Sequence, residues 1–256
     1  MKRMTSKARV LHALILREMV TRYGISRLGY VWAVLEPVGF ITLLSLLFSQ
    51  IAHSPPIGKS FPLFYATGYI AFHWFHDISS VVAKSAFVNR PLFTFPSVTP
   101  LDTVIARFVL QVLTGVAVAV VIFAGLLLIL PHNARINPLP LIQGFALAAI
   151  LGLSLGLFNV WATAISKTWE LAWNLVSRPL LLISCVFFTY WSAPLIARDM
   201  LWYNPLVHVV GYMRAGFYPG YDATHVSPEY VLSVACALGL IGLIGLRLAP
   251  TRIMSA

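Results

Sequence analysis

The chain has 256 residues, of which 59% are hydrophobic and only 10% are charged. A soluble globular domain carries about 25% charged residues, so this composition excludes an ordinary soluble protein and indicates an integral membrane protein. The formal net charge of +10 does not indicate a nucleic-acid-binding domain. The basic residues lie between apolar segments, which is the positive-inside pattern of membrane proteins.

The N-terminal region predicts a cytosolic tail followed by a helix that lies along the membrane surface. Residues 1–9 contain four basic side chains, which suit a position near anionic lipid headgroups. Apolar residues then repeat at helical spacing over residues 10–15. We therefore expect residues 1–29 to form a tail and an interfacial helix, ahead of a transmembrane domain at residues 30–256.

Six apolar segments are long enough to cross a bilayer, which takes about 20 residues. The sequence therefore predicts an all-α integral membrane protein with six transmembrane helices. They are residues 30–51, 63–82, 104–130, 139–165, 171–196 and 230–248. No connecting stretch reaches the roughly 50 residues of a separate soluble domain.

The distribution of Lys and Arg predicts the orientation of these segments. With six crossings and the N-terminus inside, fourteen of the eighteen basic residues occupy cytoplasmic positions. The four outside are Lys59, Arg135, Arg198 and Arg214. The reversed orientation would place the fourteen outside, so we expect both termini in the cytoplasm.

The stretch REMVTRYGISRLGYVWAVLEP, at residues 17–37, leads from a charged segment into the first crossing. Each arginine would cost roughly 2.5–3.5 kcal/mol at mid-depth, so the arginines stay on the cytoplasmic side, with Tyr30 and Trp32 at the interface. This motif resembles the start of the permease subunits of ABC exporters for capsular polysaccharide. The related O-antigen permeases have a similar start, usually without an acidic residue before the proline. Here Glu36 precedes Pro37, as in the capsule type.

The second predicted crossing carries polar side chains along one helical face. They are Tyr69, His73, His76, Asp77, Ser80 and Lys84. Polar groups at membrane depth normally face the bundle interior or water. Three interpretations are open: a metal site at His73, His76 and Asp77, a proton relay, or a hydrated face of a conduit for a polar chain. The pattern favours the conduit, because no further His, Cys or carboxylate stands out as a metal partner.

The predicted cytosolic loop at residues 84–107 is too apolar for a plain solvated linker. Its aromatic rings either lie on the membrane interface or belong to a short helix docked on a partner protein. The resemblance implies docking, because permeases of ABC exporters insert a coupling helix from this loop into the ATPase subunit. The coupling residues that it implies are Phe87, Asn89, Arg90, Pro91, Leu92, Phe93 and Phe95. Asp102, before Thr103, is a candidate cap for the helix that follows.

The stretch between the fifth and sixth crossings, residues 197–227, is external by this topology yet strongly apolar and aromatic. Asn204–Pro205 interrupts it, and Pro219–Gly220 ends its second part. The pattern fits two short helices that dip into the outer leaflet and return, or an external amphipathic ledge. The motif NPLVHVVGYMR-x-GFYPGYD resembles the re-entrant gate helices of polysaccharide-exporting permeases.

Three motifs along the chain therefore carry one resemblance. It implies the inner-membrane permease subunit of a bacterial ABC exporter for lipid-linked capsular polysaccharide. The implied partners are a second copy of the chain, two copies of a cytosolic ABC ATPase, a periplasmic polysaccharide co-polymerase or export protein, and an outer-membrane export protein. No G-x-x-x-x-G-K-[ST] motif occurs, so ATP and Mg would be bound by the ATPase, and we expect no cofactor, metal or catalytic residue in this chain.

A homodimer is also expected on size, since a single six-helix chain is too small to enclose a wide polar path. The candidates for that path are Tyr30, Trp32, Glu36, Tyr69, His73, His76, Asp77, Arg178, Tyr190, Tyr212 and Arg214. Three other functions remain open: an exporter of O-antigen or teichoic acid, an ATP-independent channel or carrier, and an intramembrane enzyme. The enzyme has the least support, because no nucleophile–base pair stands out.

Overall fold

The computed structural model describes residues 6–23, 29–95, 97–130 and 135–248. These ranges are helical and contain no strand, so the predicted all-α class is confirmed. The α-helices are α1 Ser6–Tyr23, α2 Gly29–Ile51, α3 Phe61–Val88, α4 Pro100–Ile129, α5 Pro138–Ile165, α6 Thr168–Leu182, α7 Leu195–Trp202, α8 Pro205–Phe217 and α9 Pro228–Leu248. Two short 3-10 helices span Arg90–Thr94 and Tyr190–Ser192.

Four of the described helices are long and apolar enough to cross a membrane, namely α2, α4, α5 and α9. α3 has 28 residues, about 42 Å, but carries the polar face. α6 has only 15 residues, about 22 Å, and ends at Leu182. The predicted segment 171–196 is therefore not one continuous helix, and the count of six crossings stays a prediction.

α3 and α5 form the centre of the bundle, and α5 also packs along α9. Glycines in α5 allow the close approach of α3. A Cβ at Gly156 would lie 2.5 Å from the Cβ of Val82, and one at Gly152 would lie 2.9 Å from the carbonyl oxygen of Phe75. Small residues at helix contacts are typical of membrane bundles, where packing rather than hydrophobicity drives association.

α4 begins with a capping box rather than with the predicted cap. Thr99 is the N-cap, and its hydroxyl accepts a hydrogen bond from the Asp102 N–H at 3.3 Å. The Asp102 carboxylate in turn accepts one from the Thr99 N–H at 2.8 Å. Asp102 therefore supports the helix start from its first turn, and the helix starts earlier than predicted because Pro100 is well suited to the first helical position.

A turn held by Arg214 follows α6. Cys185 in this turn has a φ of 56°, the left-handed region that non-glycine residues rarely adopt. The Arg214 guanidinium donates hydrogen bonds to the carbonyls of Val186 at 3.0 Å and Phe188 at 2.7 Å. It also lies 4.4 Å from the ring centroid of Phe64. Arg214 is fully buried, so it is not one of the exposed external charges that the charge count suggests.

The predicted gate segment contains two short helices, α7 and α8, which separate at Asn204–Pro205. Asn204 starts α8 by accepting a hydrogen bond from the Leu206 N–H at 3.0 Å. α8 is buried against α3 and α5, whereas half of the residues of α7 are exposed. Two helices thus stand where the sequence predicts them, and their dip into a bilayer stays a prediction.

Candidate functional site

A cavity of about 520 Å³ lies between α2, α3 and α4. Four of the predicted path residues line it, namely Trp32, Glu36, His73 and Asp77. The rest of its wall consists of Gly29, Ala33, Pro37, Ile70, Trp74, Gln111, Thr114, Gly115 and Val118. The cavity is therefore a mixture of indole rings, carboxylates, an amide and apolar side chains.

Asp77 lies at the centre of the polar groups in this wall. His73 Nε2 is 3.4 Å from its Oδ2, one helical turn away on α3. Gln111 of α4 donates a hydrogen bond from Nε2 to the same oxygen at 3.3 Å. Tyr69 continues the line, because its ring stacks on His73 at 5.3 Å and on Phe40 of α2 at 4.2 Å between centroids.

A second cavity, of about 450 Å³, adjoins the first one at Asp77 and is lined by Ser80, Lys84, Glu18 and Arg107. The predicted polar face of α3 therefore borders two neighbouring cavities for most of its length. His76 lines neither of them, and its ring stacks on Phe72 with 6.0 Å between centroids. Within the described ranges, no group of three or more His, Cys, Asp or Glu side chains could hold a metal ion.

The remaining path candidates lie elsewhere. Arg178 is exposed on α6, and Tyr190 stacks on His225 with 4.2 Å between ring centroids. Tyr212 is half-buried on α8, and Arg214 is buried beneath the turn that it holds. The side chain of Tyr30 lies outside the described part of the structure. These residues do not gather around the cavity, and a role for them in a path stays a prediction.

The predicted coupling residues form a short, partly exposed element at the end of α3. Asn89 ends α3 and begins the five-residue 3-10 helix Arg90–Thr94. Pro91 and Phe95 are exposed, while Leu92 and Phe93 are half-buried. The short helix expected in this loop is therefore present as a 3-10 helix.

A buried polar network fixes the position of this element, and the sequence interpretation missed it. Asn89 donates from Nδ2 to Glu18 Oε1 at 2.8 Å, and its Oδ1 accepts from Arg17 Nη1 at 2.8 Å. The other carboxylate oxygen of Glu18 lies 3.0 Å from Nε of Arg107 on α4. Glu18 is only 5% exposed. The signal available in the sequence is that Glu18 is the sole acidic residue among the first 35.

The comparisons with known proteins agree on one family. The profile of ABC-2 type transporters matches residues 9–218. The chain belongs to the ABC-2 type transporter family. Its resemblance to capsule-export permeases is confirmed by the relatives below. The ABC-2 region runs from α1 to the end of α8 and includes the cavities, both 3-10 helices, α7 and α8.

Relatives of this ABC-2 chain cover nearly its whole length. The polysialic acid transport protein KpsM of Escherichia coli is 35% identical over 90% of each chain. The capsule polysaccharide export inner-membrane protein CtrC of Neisseria meningitidis is 26% identical, over 92% of this chain and 89% of its own. The protein of the same description from Haemophilus influenzae, BexB, is also 26% identical, over 93% and 90%.

Proposed function

We propose that this chain is the inner-membrane permease subunit of an ABC exporter for lipid-linked capsular polysaccharide. The observation that carries the proposal is the polar face of α3, which borders two adjoining cavities inside an otherwise apolar bundle. Polar side chains at this depth are expensive unless they meet water or a polar ligand. The relatives, which are named for polysialic acid transport and capsule polysaccharide export, support a polysaccharide as that ligand.

The proposed topology has six crossings with both termini in the cytoplasm. α2, α3, α4, α5 and α9 supply five of them, and α6 together with the turn after it supplies the other. The excess of basic residues at cytoplasmic positions supports this orientation. In this arrangement the 3-10 helix lies on the cytoplasmic side, and α7 with α8 lies towards the outside as a gate segment.

A homodimer accounts for the exposure of α6. This helix makes few contacts with the rest of its own chain, and Leu171, Leu175 and Arg178 are all exposed on it. An arginine that faced lipid at mid-depth would cost roughly 2.5–3.5 kcal/mol, so its surroundings should be protein or water. A second copy that covers α6 and encloses an aqueous path next to Arg178 meets this requirement.

The energy would come from a separate ABC ATPase, present in two copies, which binds ATP and Mg. Its docking element on this chain is the segment Phe87–Phe95, with the exposed Pro91 and Phe95 at its surface. Periplasmic and outer-membrane export proteins would continue the route to the cell surface. Glu36, which precedes Pro37 and lines the cavity, favours the capsule class over the O-antigen class.

The proposal is tested by complementation and by docking variants. Expressed with its ATPase in a capsule-producing strain that lacks its own permease, the chain should restore surface polysaccharide, and a hydrolysis-deficient ATPase should not support this.

Leu92→Asp with Phe93→Asp should leave the permease in the membrane but detach the ATPase and abolish export, because two apolar contacts become charged. Thr94→Asp, which adds a charge without removing an apolar side chain, is the matched control. Co-purification of the double variant with the ATPase at the wild-type ratio would refute the docking assignment.

A further inference from the structure

We propose that the cavity between α2, α3 and α4 is a binding subsite for one uncharged sugar ring of the exported chain. This inference rests on the function proposed above. Its volume of about 520 Å³ falls within the range of roughly 300–1,000 Å³ that small-molecule sites occupy. The described residues that line it come from three helices of one chain, so each protomer carries its own copy of the cavity.

Two indole rings supply apolar surface of the kind that a sugar ring contacts. Trp32 enters from α2 and Trp74 from α3, and both line the cavity. The face of an aromatic ring carries negative charge density, so it attracts the weakly positive C–H groups on the apolar face of a pyranose. Trp32 is exposed and can adapt to a ligand, whereas Trp74 is only 6% exposed and is fixed by its packing.

The cavity wall also holds hydrogen-bonding groups without their usual partners. The indole Nε1 of Trp74 has no hydrogen-bond partner within the described part of the chain. Its ring lies against Gly115, another lining residue, where an added Cβ would be 3.4 Å from Trp74 Cε2. On α2, Pro37 has no N–H to donate to the carbonyl of Ala33, and both residues line the cavity. A hydroxyl group both donates and accepts, so it can serve an indole N–H that has no partner.

The charges of the wall select against an anionic ring. Glu36 and Asp77 are acidic, His73 lies 3.4 Å from Asp77 Oδ2, and the described lining residues include no Lys or Arg. Carboxylates accept hydrogen bonds from sugar hydroxyls readily, but they repel the carboxylate of an acidic sugar or a phosphate. The occupant that this wall fits is therefore an uncharged pyranose unit rather than an acidic one.

The test is ligand protection of a cysteine in the cavity. The full chain, assembled with its ATPase in lipid nanodiscs, carries Ala33→Cys together with Cys236→Ala, since Cys236 is exposed and Cys185 is buried. A water-soluble thiol reagent should label position 33. Maltohexaose should slow this labelling, and hexagalacturonate of the same length should not. Lys59→Cys, on the loop between α2 and α3, is the control, whose labelling neither sugar should change.

Two variants connect the protection to named groups. Trp74→Phe keeps the ring and removes the N–H, so the maltohexaose concentration for half-protection should rise roughly 2- to 12-fold, the worth of one hydrogen bond. Asp77→Asn keeps the shape and removes a carboxylate, so protection by hexagalacturonate should appear. The second variant decides the question if the first does not assemble.

Each other outcome overturns the subsite. Equal protection of position 33 by both sugars would mean that the cavity does not select by charge. Labelling that neither sugar slows would mean that the cavity holds only water. If position 33 is not labelled at all, the cavity is closed to solvent. A measurement of export distinguishes failure of the subsite from failure of the proposed function. Restored surface polysaccharide without protection removes the subsite alone, while failure to restore it removes the proposed function.

Discussion

Two polar regions of this bundle, one where α3 ends at Asn89 and one further back along α3, differ in what their polar groups contact. Where α3 ends, Glu18, Asn89 and Arg107 join α1, α3 and α4 through short contacts, and both side-chain atoms of Asn89 have partners. In the cavity between α2, α3 and α4, the Trp74 N–H has none among the described residues. The first set of contacts joins three helices, whereas the second set of polar groups lines a cavity.

The two regions also correspond to two requirements of a transport subunit, namely a docking element held in position and a polar cavity. The network fixes Asn89, which begins the 3-10 helix proposed to dock on the ATPase, so that α1 and α4 are joined to the docking element. The cavity lies on the same helix and borders the network region at Asp77. One helix, α3, therefore connects the buried polar network to the wall of a cavity.

The largest expected effect is all-or-none and tests which end of α3 is cytoplasmic. Single cysteines in place of Lys59, Arg135 and Asp222 should react with a membrane-impermeant thiol reagent added from outside. A cysteine in place of Arg90, beside the network, should react only after the cells are opened. External labelling at position 90 would overturn the proposed topology and place the network at the wrong end of the bundle.

The next effect concerns the network itself. Arg107→Met leaves the Glu18 carboxylate buried without its cationic partner, which should cost about 3–5 kcal/mol of unfolding free energy. Thermal unfolding of the purified chain in detergent measures this loss. Glu18→Leu combined with Arg107→Met replaces the pair by apolar groups and should recover most of it. A single variant as stable as wild type would mean that the network is not what joins these helices.

A smaller effect is expected at the polar face of the cavity region. His73→Gln and His76→Gln should each retain export within about twofold, because a hydrated path needs hydrogen-bonding groups rather than a metal ligand or a titrating ring. Surface polysaccharide at matched protein level is the measurement. Loss of export in both variants would contradict the plain conduit and favour a metal or proton role for this face.

Much of the fold could be predicted from local pattern. α2 starts one residue from its predicted position, α5 and the end of α9 match closely, and the predicted polar face of α3 does border cavities. Length and hydropathy are properties of consecutive residues, so they are visible in the sequence. The relation of His73 to Asp77 is likewise a matter of helical spacing.

The parts that sequence could not predict depend on partners far along the chain. Glu18 meets Asn89 across 71 positions, and Arg214 meets the carbonyl of Val186 across 28. Charge counting assigns Arg214 to the outside because it registers charge but not burial. The turn after Leu182 likewise depends on a distant partner, because Arg214 stabilises it, although Pro179 lies close to the end of α6.

The smallest expected effect comes from a second acid–base contact, which lies between α3 and α6. Lys84 Nζ lies 3.5 Å from Glu170 Oε1, but the two side chains are 61% and 52% exposed. Water screens such a pair, so Glu170→Gln should change the unfolding free energy by only about 0–1 kcal/mol. This variant is the matched control for Arg107→Met, because each removes one charge from a pair of similar separation, and only burial differs. Equal losses in the two variants would show that burial does not set the strength of the network, and the contrast between the two polar regions would then need another physical basis.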